Sequence, residues 1–183
     1  MTTFYKSKFY KNPIEVENIW WEIIISIIDN FWRKIIYSWY DLIFKNTESD
    51  YITKCLLWWF IKQTPKNVLI IWFWWWAFCK YLEDHISNIN ITWIDIDKTM
   101  FEIAKKYLKI KTTDLFLDIN NNIIDNLIKN NSKYDLILID AYWSSWKIPE
   151  EYKEFKKYEK ISKILESNWT ILLILQIIFE KTR

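Results

Sequence analysis

The sequence predicts an α/β fold: a mainly parallel sheet with helices on both faces, preceded by a small N-terminal β-hairpin unit. Three observations carry that expectation. From residue 63 onward, short apolar runs alternate with segments of helical periodicity. Those runs are continuously apolar, as strands covered on both faces are. Residues 1–62 instead hold β-branched and aromatic runs around turn signals. With 51% hydrophobic and 26% charged residues, the 183-residue chain supports a sizeable core in one domain, or one plus an appendage. The expected division is a small β domain with a linking helix over 1–62, then an α/β domain over 63–183.

Taken in order, 22-EIIISII-28 and 33-RKIIYSWYDLIF-44 are strand-like, and 29-DNFW-32 between them reads as a hairpin turn. A second turn is expected at 38-SWYD-41, then a helix over roughly 48–62. Strand 67-NVLIIWF-73 leads to a helix over 77–87, and strand 90-NITWID-95 to a helix over 98–109. Strand 114-DLFLD-118 precedes a helix over about 121–131. Strand 134-YDLILID-140 precedes a helix over 150–166, and 169-WTILLILQII-178 is the fifth strand.

The composition carries an anomaly. The chain has 14 Trp and no Gly, where average usage predicts about 13 Gly. Glycine serves positive-φ turns and close backbone approaches that no other residue serves cheaply. Two readings follow: these are true tryptophans, or glycine codons have been read as tryptophan. UGA specifies Gly in some genetic codes and Trp in others. Abundant Ile, Lys and Asn with scarce Ala fit AT-rich coding sequence, which favours the second reading.

A net charge of +2 is too balanced to imply a nucleic-acid or membrane surface. Its densest lysine run, 153-KEFKKYEKISK-163, alternates with Glu as a solvated helix face does. Cys55 and Cys79 make neither a disulfide framework nor a metal site, and no residue set has metal-ligand spacing. Apolar runs such as 171-ILLILQIIF-179 are too short to span a bilayer. A cytoplasmic protein without a metal is expected.

Ligands on a parallel sheet bind beyond the carboxyl ends of its strands, so the residues following each strand are the candidates. After the first strand comes 72-WFWWWA-77, which with glycine reads Gly-Phe-Gly-Gly-Gly-Ala. A strand before it and a helix after it are the context of a phosphate- or nucleotide-binding loop, whose backbone N–H groups face the ligand. Trp72, Trp74 and Trp76 are the candidate positions. After the second strand stands Asp95, 23 residues beyond Trp72, at the distance of a carboxylate that accepts ribose hydroxyls; Ile96 follows it. Asp97 is the expected N-cap of the next helix. Asp118 can accept from an adenine amino group while Ile119 packs on the ring, with Asp114 the alternative in another register. Asp140 leaves the fourth strand, placed to hold an amine or sulfonium group, and Tyr142 walls the same pocket. His85, the single histidine, lies on a polar helix face and is expected to be solvated.

With Trp read as Gly, 67-NVLIIGFGGGAFCKYL-82, 91-ITGIDIDKTMFEIAKKYL-108 and 134-YDLILIDAYGSSGKIPEEY-152 resemble the spermidine synthase family of polyamine aminopropyltransferases. The likeness runs over about residues 14–178, and 31-FGRKIIYSGYDLIF-44 resembles that family's N-terminal hairpin. The resemblance implies a Rossmann-like class I methyltransferase fold and a place in polyamine biosynthesis. It also implies decarboxylated S-adenosylmethionine, or S-adenosylmethionine, as a bound substrate, a small-molecule acceptor such as a diamine, and homodimers. In the family an aminopropyl group passes to an amine whose proton a carboxylate receives; Asp140 matches the first aspartate of a D-x-x-D pair. Trp143 stands where the second belongs, and Leu42 and Lys54-Cys55 stand near the places of other family residues. The chain stops soon after the fifth strand, where this fold normally adds two more, so a truncated frame is a further expectation. An S-adenosylmethionine-dependent methyltransferase, which can act by positioning alone, and a non-catalytic remnant are the alternatives. A nicotinamide dehydrogenase fits the loop but leaves Asp118 and Asp140 without a role.

Overall fold

A computed structural model of the chain describes residues 1–8, 10–28, 34–43, 45–47, 64–71, 76–112, 114–117, 122–139 and 155–173. Among these residues, Ile14 and Val16 alternate with Glu15 and Glu17 in β2 (Ile14–Ile19), the period of a strand with one buried face. It lies between β1 (Thr2–Tyr5) and β3 (Glu22–Ile28), and β4 (Lys34–Asp41) and β5 (Asn46–Thr47) complete an antiparallel sheet in sequence order. Ile19 pairs with Glu22, leaving Trp20 and Trp21 as a two-residue hairpin loop. Trp20 sits there at φ 59° and is 86% exposed.

The expected β3–β4 hairpin is present. The second turn, expected at 38–41, is not: Ser38, Trp39, Tyr40 and Asp41 pair with Ile25, Ile24, Ile23 and Glu22. Tyr40 explains the difference. Its ring is buried and its hydroxyl donates to Asp84 Oδ2 at 2.7 Å, so β4 runs on through it. The chain turns only after Asp41, whose Oδ1 accepts the Ile43 N–H at 2.8 Å. The helix expected over 48–62 lies outside the described residues.

The second sheet is parallel throughout. Its strands are β6 (Asn67–Ile71), β7 (Asn90–Asp95), β8 (Asp114–Leu117), β9 (Tyr134–Ile139) and β10 (Leu165–Leu173), in the order β10-β9-β6-β7-β8. The helices between them are α1 (Trp76–His85), α2 (Lys98–Tyr107), α3 (Ile123–Lys129) and α4 (Phe155–Ser162). β10 starts four residues earlier than expected, at Leu165, and its pairing with β9 breaks register between Leu165 and Thr170.

Alternate residues of the central strands feed two cores. Val68, Ile70, Leu136 and Leu138 point into a cluster with α1, α2 and the antiparallel sheet's Ile14, Val16, Ile25 and Tyr40. Leu69, Ile71, Ile137 and Ile139 point into the other, with Ile124 and Leu127 of α3 and Ile161 and Ile164 around the end of α4. Both faces of the parallel sheet are therefore covered, which is why its strands read as unbroken apolar runs. The antiparallel sheet packs on the α1/α2 face, so the two sheets share one core.

The strand order places β6 at the centre. The chain builds outward through β7 and β8, then returns to the other side of β6 with β9 and β10. The order therefore reverses between β6 and β9. Such a fold opens its ligand crevice at the carboxyl ends of those two strands.

Candidate active site

Ile71 and Ile139 end the two strands that flank the crevice, and Asp95 ends the next strand on the β7 side. The loop 72–75, with Trp72 and Trp74, follows β6 directly in sequence; Asp140 and Tyr142 follow β9; Asp118 and Ile119 follow β8. These six candidates lie outside the described residues. Asp95, Ile96 and Trp76 lie within them.

Asp95 is nearly buried. Its Oδ1 accepts the backbone N–H of Asp97 at 2.8 Å. Burial pushes its pKa up to about 7; the Asp97 charge adds to that rise, and the N–H groups of Asp97 and Ile96 oppose it. A carboxyl group so placed is held close to its own titration midpoint near neutral pH, and new donors from a ligand would favour its ionised form. Ile96 is partly buried against the core on the α3/α4 side.

Asp97 is the N-cap of α2, as its place before a helical pattern predicts. Its backbone is extended, at φ −113° and ψ 99°, and its Oδ1 accepts the Thr99 N–H at 2.9 Å. Its Oδ2 accepts the hydroxyl proton of Ser7 at 2.5 Å, a buried bond across 90 residues of sequence. Ser7 lies between β1 and β2. No sequence signal pointed to it, because nothing local to residue 7 marks a partner so distant.

Trp76 opens α1 but is wholly buried, its ring against Trp93 of β7 and Phe101 of α2. What position 76 offers a ligand is therefore backbone at a helix N-terminus and not its side chain. The Trp76 and Trp93 ring centroids stand only 3.4 Å apart at 35°, closer than the 4.5–7 Å usual for aromatic pairs. Among the described residues, neither buried indole N–H group has a hydrogen-bond partner. The Trp93 N–H has the Cys79 sulfur near it, a weak acceptor that does not complete a bond. The helix-to-sheet space here holds more ring than it can satisfy.

Cys79 is fully buried, and burial pushes its thiol pKa well up, which makes it a core residue and not a nucleophile. His85 is exposed and stacks on Tyr81, with its Nδ1 2.9 Å from the Tyr81 carbonyl oxygen. Among the described residues, no helix is long and apolar enough to cross a membrane.

No protein-family model and no curated protein sequence matches the chain. Among solved structures it is similar to a probable spermidine synthase from Corynebacterium glutamicum, with 13% identity and a TM-score of 0.75 over 94% of this chain and 63% of that one. It is also similar to a spermidine synthase in complex with the transition-state analogue AdoDATO, with 16% identity and a TM-score of 0.54 over 93% of this chain and 57% of that one. The chain thus spans less than two thirds of either structure. At these identities the likeness shows the fold: a Rossmann-like α/β fold with an antiparallel sheet ahead of it.

Proposed function

We propose that the chain is a spermidine synthase-like transferase that binds S-adenosylmethionine or its decarboxylated form at the carboxyl ends of β6, β7 and β9. The observation that carries this reading is Asp95: a buried carboxylate at the end of the strand beside the switch strand, held by the Asp97 N–H and suited to accept ribose hydroxyl protons. The antiparallel sheet ahead of the nucleotide fold supports the aminopropyltransferase-like form of the reading.

The reading requires a loop at 72–76 that a nucleotide can approach, and hence that the tryptophans stand for glycines. Two observations support that. Trp20 occupies the first position of a two-residue hairpin at positive φ, where glycine is the favoured residue. The Trp76 and Trp93 rings crowd to 3.4 Å between α1 and β7, and among the described residues neither indole N–H group has a full hydrogen-bond partner.

In the proposed reaction the acceptor amine attacks the carbon next to the sulfonium. A C–N bond forms, the C–S bond breaks, and sulfur keeps the electron pair to become a neutral thioether. The proton lost by the amine passes to Asp140. Trp143, in place of a second loop aspartate, favours a second reading. A methyltransferase on the same frame needs less of that loop, because methyl transfer can run on positioning alone.

Calorimetric titration of natively translated protein with both sulfonium ligands separates the readings. Tighter binding of the decarboxylated ligand supports aminopropyl transfer, and tighter binding of S-adenosylmethionine supports methyl transfer. Binding of neither would overturn both and leave a non-catalytic member of the fold.

A further inference from the structure

We infer that Ser7 is a positioning residue for the nucleotide site, acting through Asp97 on Asp95; the inference rests on the reading of Asp95 as the ribose-binding carboxylate. Both oxygens of Asp97 are engaged, Oδ1 by the Thr99 N–H and Oδ2 by the Ser7 hydroxyl. The side chain is buried and cannot turn to water without leaving a donor behind. The same residue's backbone N–H is the donor that holds Asp95 Oδ1. Fixing the Asp97 side chain therefore fixes the peptide that aims the Asp95 carboxylate.

The arrangement joins the segment after β1 to the carboxyl end of β7. The N-terminal sheet thereby does more than pack on the nucleotide fold: one of its connections sets the geometry of a ligand-facing group. A second tie between the same parts provides an internal control. The Tyr5 and Tyr107 hydroxyls are 2.9 Å apart and Lys106 Nζ donates to the Tyr5 oxygen at 2.8 Å, so β1 is also held to α2 at a point that does not touch Asp97.

The test compares Ser7→Ala, Ser7→Thr, Tyr5→Phe and Asp95→Asn in natively translated protein, titrated with S-adenosylmethionine and its decarboxylated form. Ser7→Ala is expected to weaken binding roughly 3- to 30-fold, as residues that act through a neighbour do. Ser7→Thr restores it, and Tyr5→Phe stays within about twofold, below that range. In parallel, the Asp97 amide proton resonance moves in Ser7→Ala and not in Tyr5→Phe. Equal losses in Ser7→Ala and Tyr5→Phe would reduce Ser7 to a docking contact and overturn the inference. Unchanged affinity in Ser7→Ala, with binding lost in Asp95→Asn, would overturn it while leaving the site intact. Wild-type binding in Asp95→Asn would instead overturn the site reading, whatever the Asp97 resonance does.

Discussion

Asp95 is the residue whose chemistry can be read most directly. Its carboxyl binds a proton more tightly in the folded chain than in the unfolded one, because burial raises its pKa to about 7. Between the ordinary carboxylate range near 4 and about 7, the folded state holds more protons than the unfolded state. Its contribution to stability is therefore full at the acid end of that window and is lost as pH rises through it. Unfolding measured across the window should show that slope in wild type and a flatter one in Asp95→Asn. Ribose hydroxyls donating to this group favour its ionised form, so adenosine-ligand affinity should rise with pH up to about 7 and level off beyond. Asp95→Ala should weaken that ligand by an order of magnitude or more, since a charge-assisted bond contributes about 1.5–3 kcal/mol. A pH-independent affinity would separate the ligand from Asp95. The carboxylate and the cap at Asp97 were both legible in 93-WIDID-97, because strand end and helix start are local patterns. Ser7 was not, because its role arises from a fold that closes 90 residues of chain.

At the scale of elements, the parallel sheet was legible for a simple reason: a strand buried on both faces has no polar face to blur its pattern. β6 and β9 feed alternate residues to two cores, and both appear in sequence as unbroken apolar runs. The antiparallel sheet was legible only in part. β1 and β2 fall outside the strand-like runs of the sequence analysis, although β2 has the alternation Ile14, Glu15, Val16, Glu17, and 38-SWYD-41 has the local pattern of a turn but pairs as strand. Burial of Tyr40 and its bond to Asp84 of α1 outweigh the local turn pattern there. Tertiary contact decided that element. The hairpin between β2 and β3 makes its own prediction. A non-glycine residue in the left-handed region costs about 1–2 kcal/mol, so in protein made with tryptophan at position 20, Trp20→Gly should stabilise the fold by about 1 kcal/mol in denaturant unfolding with an unchanged m value. A loss of stability would show that the exposed indole contributes more than the backbone costs. At the start of α2, Thr99 depends on the Asp97 cap, and Asp97→Ala should cost about 0.5–2 kcal/mol by the same measurement.

For the whole molecule, two sheets share one core and the strand order reverses between β6 and β9, the place where such sheets bind ligands. Directly after β6 the sequence has tryptophan at 72, 74 and 75, and again at 76, the first residue of α1. Taken as indoles, they put four bulky side chains where a nucleotide-binding loop carries glycine. Taken as glycines, they complete a strand–loop–helix unit whose N–H groups face a ligand. The proposed nucleotide site depends on that choice more than on any other feature of the chain. A tryptic digest of the protein from its native source releases Asn67–Lys80, bounded by Lys66 and Lys80. Its mass decides the matter. Glycine masses are expected at 72, 74, 75 and 76; tryptophan masses at those positions would overturn the proposed nucleotide site and leave only the two-sheet architecture.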